Sequence, residues 1–166
     1  EFAPQEEWDP EDPYGDAIDF LDGLSQGEVA VIATGGENRS AFWGELFSAA
    51  AKGRSAHGVV CDGPLRDTEQ IVDIGFPAFG ALARPIDYKG RMKVISTRAT
   101  VACGGVTVSP GDGIIADSDG IVVVPVAHLE KVTAIAEERA RSERTVLSDL
   151  LSGKSVRQVW DAYRIL

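Results

Sequence analysis

Two short stretches carry the residues most able to do chemistry, Gly44-Glu45-Leu46-Phe47 and, further along, Asp62-Gly-Pro-Leu-Arg-Asp67. Asp67 together with Glu45 can frame a hard cation of the Mg²⁺ or Mn²⁺ kind, which takes one or two carboxylates and keeps several waters. Arg66 would then face a substrate oxygen on which negative charge develops. That division of labour suits enolate chemistry, because cation and guanidinium both stabilise charge absent from the ground state. A helix starting at Gly44 would present unpaired N–H groups and a partial positive charge to a substrate carboxylate. Leu46 and Phe47 can donate such N–H groups without competing side-chain charge, and Gly44 lets a ligand approach the backbone. An adjacent Arg and Asp alone are as readily a surface ion pair of small energetic weight. The second acid, Glu45, is what gives the pair a chemical meaning.

Other motifs offer less. Ser152-Gly-Lys-Ser155 looks like the end of a phosphate-binding loop, but Ser148 stands where that loop needs its first glycine. Asp117-Ser-Asp-Gly120 lacks the remaining ligands of a calcium loop and reads as a hairpin turn. His57 and His128 form no ligand spacing with each other or with Cys61 and Cys103, which argues against zinc. No G-x-S-x-G elbow supports a serine nucleophile. Lys52 and Lys89 are weak Schiff-base candidates, since neither sits in an apolar run.

The elements that must position these residues follow from periodicity and turn chemistry. Apolar spacing predicts a helix over Asp16–Leu24, a strand over Glu28–Ala33, a helix over Gly44–Gly53 and a strand over Gly58–Cys61. Asp62-Gly63-Pro64 reads as a sharp exit from that strand, which places Arg66 and Asp67 on a loop. A helix over Asp67–Ile74 and a strand over Pro77–Ala83 follow. This alternation implies an α/β layer with its loops gathered at the strand ends. From Arg91 onward, β-rich runs at Val94–Val101, Val106–Val108, Gly113–Ala116 and Ile121–Pro125 are separated by glycine-containing turn dipeptides. Val126–Leu151 reads as a long helix with a charged middle. Ser155 and Gln158 have capping-box spacing at the start of a last helix.

The 166 residues suit one compact domain, residues 15–166, preceded by an irregular acidic arm over residues 1–14. A net charge of −10 argues against non-specific binding to nucleic acid or an anionic membrane. No apolar run is long enough to form a membrane helix. Two cysteines in apolar runs are expected to be buried and reduced, consistent with a cytoplasmic setting. The chain opens at Glu1-Phe-Ala-Pro4 without a Met, and the expectation is that the natural protein begins earlier.

The chemistry-bearing stretches sit inside a longer pattern. It comprises Asn38-Arg-Ser-Ala-Phe-Trp-Gly-Glu-Leu-Phe47, Gly58-Val-Val-Cys-Asp-Gly-Pro-Leu-Arg-Asp67, Gly75-Phe-Pro77, Gly90-Arg91, Cys103-Gly-Gly-Val106 and Pro110-Gly-Asp112. Ala116-Asp-Ser-Asp-Gly-Ile-Val-Val-Val-Pro125 and Asp161-Ala-Tyr-Arg-Ile-Leu166 complete it. In order and spacing this resembles the RraA-like family, which includes class II 4-hydroxy-4-methyl-2-oxoglutarate aldolases. The resemblance implies a swivelling β/β/α-type domain assembled as a homotrimer or a dimer of trimers, with the site at a subunit interface. It implies that Asp67 binds a divalent metal, Mg²⁺ or Mn²⁺, and that Arg66 contacts the keto oxygen of pyruvate. Gly44, Leu46 and Phe47 would bind substrate through backbone amides, and Glu45 would hold a metal-associated water. Glu143, from a neighbouring subunit's long helix, would complete the outer shell. The implied reactions are cleavage of a 4-hydroxy-2-oxo acid to pyruvate and decarboxylation of oxaloacetate. The same family includes regulators that inhibit ribonuclease E by protein contact, and the resemblance implies that these lack the Asp after the arginine. This chain departs from the aldolases in carrying Glu45 and Phe47 where they carry Asp and Leu.

Overall fold

The computed structural model describes residues 1–4 and 11–166, and the chain divides into two compact units, Glu1–Val123 and Val124–Leu166. A single domain was the expectation from length.

At the centre of the first unit is a parallel sheet in the order β2-β3-β4, formed by Val29–Ile32, Gly58–Leu65 and Ala78–Ala83. Helices α2 (Glu45–Gly53) and α3 (Thr68–Asp73) make the crossovers that parallel neighbours require. Side chains alternate between the two faces of a strand. Ala30, Ile32, Val59 and Cys61 accordingly enter one apolar cluster with Phe42, Trp43, Leu65, Ile71 and Phe76. Ala33 and Val60 enter a second with Cys103 and Val108. Burial on both faces explains why β3 reads as a continuous apolar run. It also raises both thiols, Cys61 to about 12 and Cys103 to about 11, mainly by desolvation.

β3 does not stop at Cys61. It continues through Asp62-Gly63-Pro64 to Leu65, absorbing one extra residue between Cys61 and Pro64 as a bulge. The expected exit was wrong because each breaker has a use inside the strand. Asp62 accepts from Thr34 N at 2.7 Å and Gly104 N at 3.2 Å, while Pro64 O accepts from Phe42 N at 3.1 Å. Segment 41–43 thus runs beside the extension, with Trp43 bridged to Leu65.

The N-terminal arm is not irregular throughout. Phe2–Pro4 forms β1, antiparallel to β5 (Met92–Val94), and residues 5–10 lie outside the described residues. Helix α1 spans Gly15–Asp22. The strand expected over Val94–Val101 is instead two pieces, β5 and β6 (Val101–Cys103), with irregular backbone between them. β6 pairs with β7 (Val106–Val108), and β8 (Gly113–Ala116) with β9 (Ile121–Val124). The β8–β9 connection is the expected turn, closed by Asp117 Oδ1 accepting from Asp119 N and Gly120 N.

The second unit carries a 3₁₀ turn (Val126–His128), the long α4 (Leu129–Leu151) and α5 (Val156–Tyr163). The Ser155 side chain and the Gln158 side chain form the anticipated reciprocal cap. Asp149 of α4 accepts from Tyr163 Oη and from Lys154 Nζ, both at 2.8 Å, which ties the two helices together. No described helix is long and apolar enough to cross a membrane.

Candidate active site

Parallel α/β sheets leave a crevice at the carboxyl ends of their strands. Here three chain segments leave that edge and converge: β2 into α2, β3 into α3, and β4 into the loop before β5. They bring Gly44 and Glu45, Arg66 and Asp67, and Asp87 into one cluster.

Asp67 is the N-cap of α3 and holds φ 54°, ψ 39°, the left-handed region. That conformation costs a non-glycine residue roughly 1 kcal/mol, least for Asp and Asn. Its carboxylate turns back across the cluster. Oδ2 accepts from Glu45 N at 3.3 Å and lies 3.7 Å from Arg66 Nε. Oδ1 accepts no hydrogen bond among the described residues.

The close fit between segments depends on Gly44. A Cβ there would lie 2.7 Å from Asp67 Oδ2 and 2.8 Å from both Arg66 Cγ and Nε. Gly44 itself is extended, at φ −154°, so the requirement is for space and not for an unusual backbone. Backbone pairing locks the same contact, with Arg66 N donating to Trp43 O at 2.9 Å. Trp43 is buried, and its Nε1 donates to the buried Ser48 Oγ at 2.7 Å, pinning the loop to the second turn of α2. Leu46 and Phe47 lie in the first turn of α2, where N–H groups have no intrahelical acceptor. Leu46 is 75% exposed, whereas Phe47 packs edge-on against Trp43 and Tyr14.

One residue of this cluster was missed from sequence. Asp87 Oδ2 accepts from Arg66 Nη1 at 3.1 Å and from Tyr14 Oη at 2.5 Å, while Oδ1 accepts from Lys89 N at 3.0 Å. Arg91 Nη1 braces the same loop through Asp87 O at 3.0 Å. Tyr14 is raised to about 12 by desolvation first and its Asp87 hydrogen bond second, so it remains a donor at neutral pH. Arg66, Lys89 and Arg91 bring three positive charges to a cluster that also holds the carboxylates of Glu45, Asp67 and Asp87.

The other expected residues fall elsewhere. Glu143 lies on α4 in the second unit, paired with Arg139 at 2.6 Å. Lys52 Nζ donates to Ile74 O, whereas Lys89 stays beside the cluster, its Nζ 5.9 Å above the Tyr14 ring. A cavity of about 760 Å³ opens between the central sheet and the β6–β8 region, lined by Val29, Val31, Val60, Phe79 and Val101 among others, and it contains none of the candidate residues. No group of three or more His, Cys, Asp or Glu among the described residues could hold a metal. A cation at Asp67 would therefore rest on one or two carboxylates and water. A half-exposed carboxylate with one oxygen uncommitted fits that requirement.

The fold and the site define a mixed α/β protein with an Arg-Asp pair set at the carboxyl edge of a parallel sheet. The chain belongs to the RraA-like family, whose Aldolase/RraA model matches residues 11–123. It is 34% identical over 131 residues to an uncharacterised protein of Methanocaldococcus jannaschii, covering 79% of this chain and 62% of that one. It is 31% identical over 115 residues to a Halalkalibacterium halodurans protein provisionally named a 4-hydroxy-4-methyl-2-oxoglutarate aldolase, covering 69% and 54%. The chain thus spans less than two thirds of either relative's length. Among solved structures, Streptomyces coelicolor RraAS2, described as an unusual member of the RNase ES inhibitor RraA family, matches with TM-score 0.76 and 28% identity. That match covers 87% of this chain and 71% of the other. An uncharacterised Pseudomonas syringae protein matches in fold with TM-score 0.83 and 23% identity, covering 95% and 72%.

Proposed function

We propose that this protein is a divalent-metal-dependent lyase. It would cleave a 4-hydroxy-2-oxo acid of the 4-hydroxy-4-methyl-2-oxoglutarate type to pyruvate and a second oxo acid, and decarboxylate oxaloacetate at the same site. The observation that carries the reading is Asp67, held in a left-handed backbone conformation against Arg66 and the N-terminus of α2. The provisional aldolase names of relatives at about 31% identity point the same way.

Both reactions break a carbon–carbon bond one carbon removed from the 2-oxo group and leave the electron pair on a pyruvate enolate. Asp67 would hold Mg²⁺ or Mn²⁺, with Glu45 orienting a neighbouring water. When bound, such a cation supplies a Lewis acid that polarises the 2-oxo group. Arg66 donates to the oxygen on which enolate charge accumulates. The free N–H groups of Leu46 and Phe47, with Gly44 beside them, receive the substrate carboxylate. Water at Glu45 takes the hydroxyl proton in the cleavage and returns a proton to the enolate carbon. Glu143 of a neighbouring subunit would complete the outer shell in a homotrimer or a dimer of trimers. Exposed Ile135, Leu147 and Leu151 on α4 support self-association.

The test is pyruvate release from both substrates with Mg²⁺ or Mn²⁺, with chelator, and in Asp67→Ala. Loss with chelator, rescue by metal and inactivity of Asp67→Ala are expected. Full activity of Asp67→Ala in metal-free buffer would sink the proposal. A second reading, a regulator that binds a ribonuclease without chemistry, is favoured by the likeness to RraAS2. Asp67 weighs against it, and co-purification with ribonuclease E by a catalytically silent protein would establish it instead.

A further inference from the structure

We infer that Asp87 is a positioning residue for Arg66, locked in turn by Tyr14, so that the guanidinium meets the substrate oxygen in one fixed orientation. The inference rests on the lyase reading of the site.

An arginine on a flexible stem loses rotamer freedom when it is aimed at a substrate, and a preset guanidinium avoids that loss during reaction. Arg66 is preset from two sides. Its Nε faces Asp67 Oδ2 at 3.7 Å, and its Nη1 donates to Asp87 Oδ2 at 3.1 Å. Nη2 has no hydrogen-bond acceptor among the described residues, which leaves it as the donor available to a ligand. Asp87 cannot swing away. Its Oδ1 is held by Lys89 N at 3.0 Å, its Oδ2 also accepts from Tyr14 Oη, and its backbone is bridged to Ala41. Tyr14 is fixed by edge-on rings of Phe47 and Tyr88. The chain of contacts therefore runs from an apolar cluster through a phenol and a carboxylate to the guanidinium.

The geometry also explains why a surface ion pair is an insufficient description. Arg66 and Asp87 side chains are 31% and 23% exposed, and the pair is reinforced by a neutral donor that no salt bridge requires. Of the two carboxylates flanking this arginine, only Asp67 has an oxygen that accepts no hydrogen bond among the described residues. Asp87 touches neither substrate nor cation in this assignment and acts only through Arg66.

The test compares wild type, Asp87→Asn and Tyr14→Phe in metal-supplemented oxaloacetate decarboxylation, with melting temperature and oxalate binding measured in parallel. Asn keeps the side-chain carbonyl that closes the Lys89 turn, so the loop should survive. The expected result is a fall in kcat of about 10- to 100-fold in Asp87→Asn, with KM altered less than about 3-fold, because orientation matters most where charge develops. Tyr14→Phe should fall less, by about 3- to 10-fold, and the double variant should be less impaired than the product of the two, since both act through one guanidinium. Asp87→Glu should recover part of the lost kcat. Unchanged kcat in Asp87→Asn, or a loss that simply tracks lowered melting temperature, overturns the inference while leaving the lyase reading intact. A wild type that neither turns over substrate nor binds oxalate overturns the lyase reading, and this inference with it.

Discussion

Gly44→Ala perturbs the site without removing any of its functional groups. The added methyl would start 2.7 Å from Asp67 Oδ2 and 2.8 Å from Arg66 Cγ and Nε. Ordinary contact needs about 3.5 Å, so these groups must retreat by roughly 0.7–0.8 Å. They can, because Arg66 and Asp67 side chains are 31% and 43% exposed, so the stability cost should be near the low end of overpacking, about 1 kcal/mol. The backbone adds nothing to that cost, since Gly44 is extended and Ala adopts the same conformation. Chemistry should suffer more. Displacement approaching 1 Å costs up to about 100-fold in rate, so kcat for oxaloacetate decarboxylation should drop roughly 10- to 100-fold. Melting temperature should fall by only a few degrees, about 2–4 °C for a chain of this size. The assay is steady-state kinetics beside thermal unfolding. Wild-type kcat in a folded Gly44→Ala protein would refute the claim that Arg66 and Asp67 must touch the α2 N-terminus to work.

Two further outcomes follow from the interior around the site. Ser48→Ala leaves the buried Trp43 Nε1 without its acceptor, which should destabilise the protein by about 1–3 kcal/mol with a weaker effect on kcat, readable by denaturant unfolding. Stability should also fall at alkaline pH. The folded Cys61 thiol keeps its proton to about 12, whereas the unfolded thiol ionises near 9.0. A raised folded-state value contributes stability that is complete below the unfolded one and is lost as pH rises through that window. One such group gives a slope of about 1.4 kcal/mol per pH unit, and Cys61→Ala should remove that share of the loss between pH 9 and 12 in urea titrations.

Much of the fold is legible in local sequence pattern. Strand β2, helix α2, hairpin strands β7 and β8 and the Ser155 cap follow from periodicity and turn chemistry, because the pattern that marks each lies in its own residues. What stayed hidden depends on distant partners. Asp62-Gly63-Pro64 has the residues of a strand end, and only Thr34, Gly104 and Phe42, brought in by the fold, make them a bulge. Phe2–Pro4 is a strand because residues 92–94 lie beside it. The site divides the same way. Gly44, Glu45, Arg66 and Asp67 stand in compact motifs, so their types and order suggested a shared role. Asp87 stands in Pro-Ile-Asp-Tyr-Lys, which has no chemical signature of its own, and it becomes part of the site only when the loop after β4 meets Arg66 and Tyr14.

In the proposed reaction, Asp67 would anchor a divalent cation beside Arg66. Electron paramagnetic resonance of Mn²⁺ titrated into wild type and Asp67→Ala, with and without oxalate as an enolate mimic, tests it without needing the physiological substrate. Stoichiometric Mn²⁺ uptake by wild type, tightened by oxalate, and no uptake by a folded Asp67→Ala are expected. Equal Mn²⁺ binding by both proteins would contradict that anchoring.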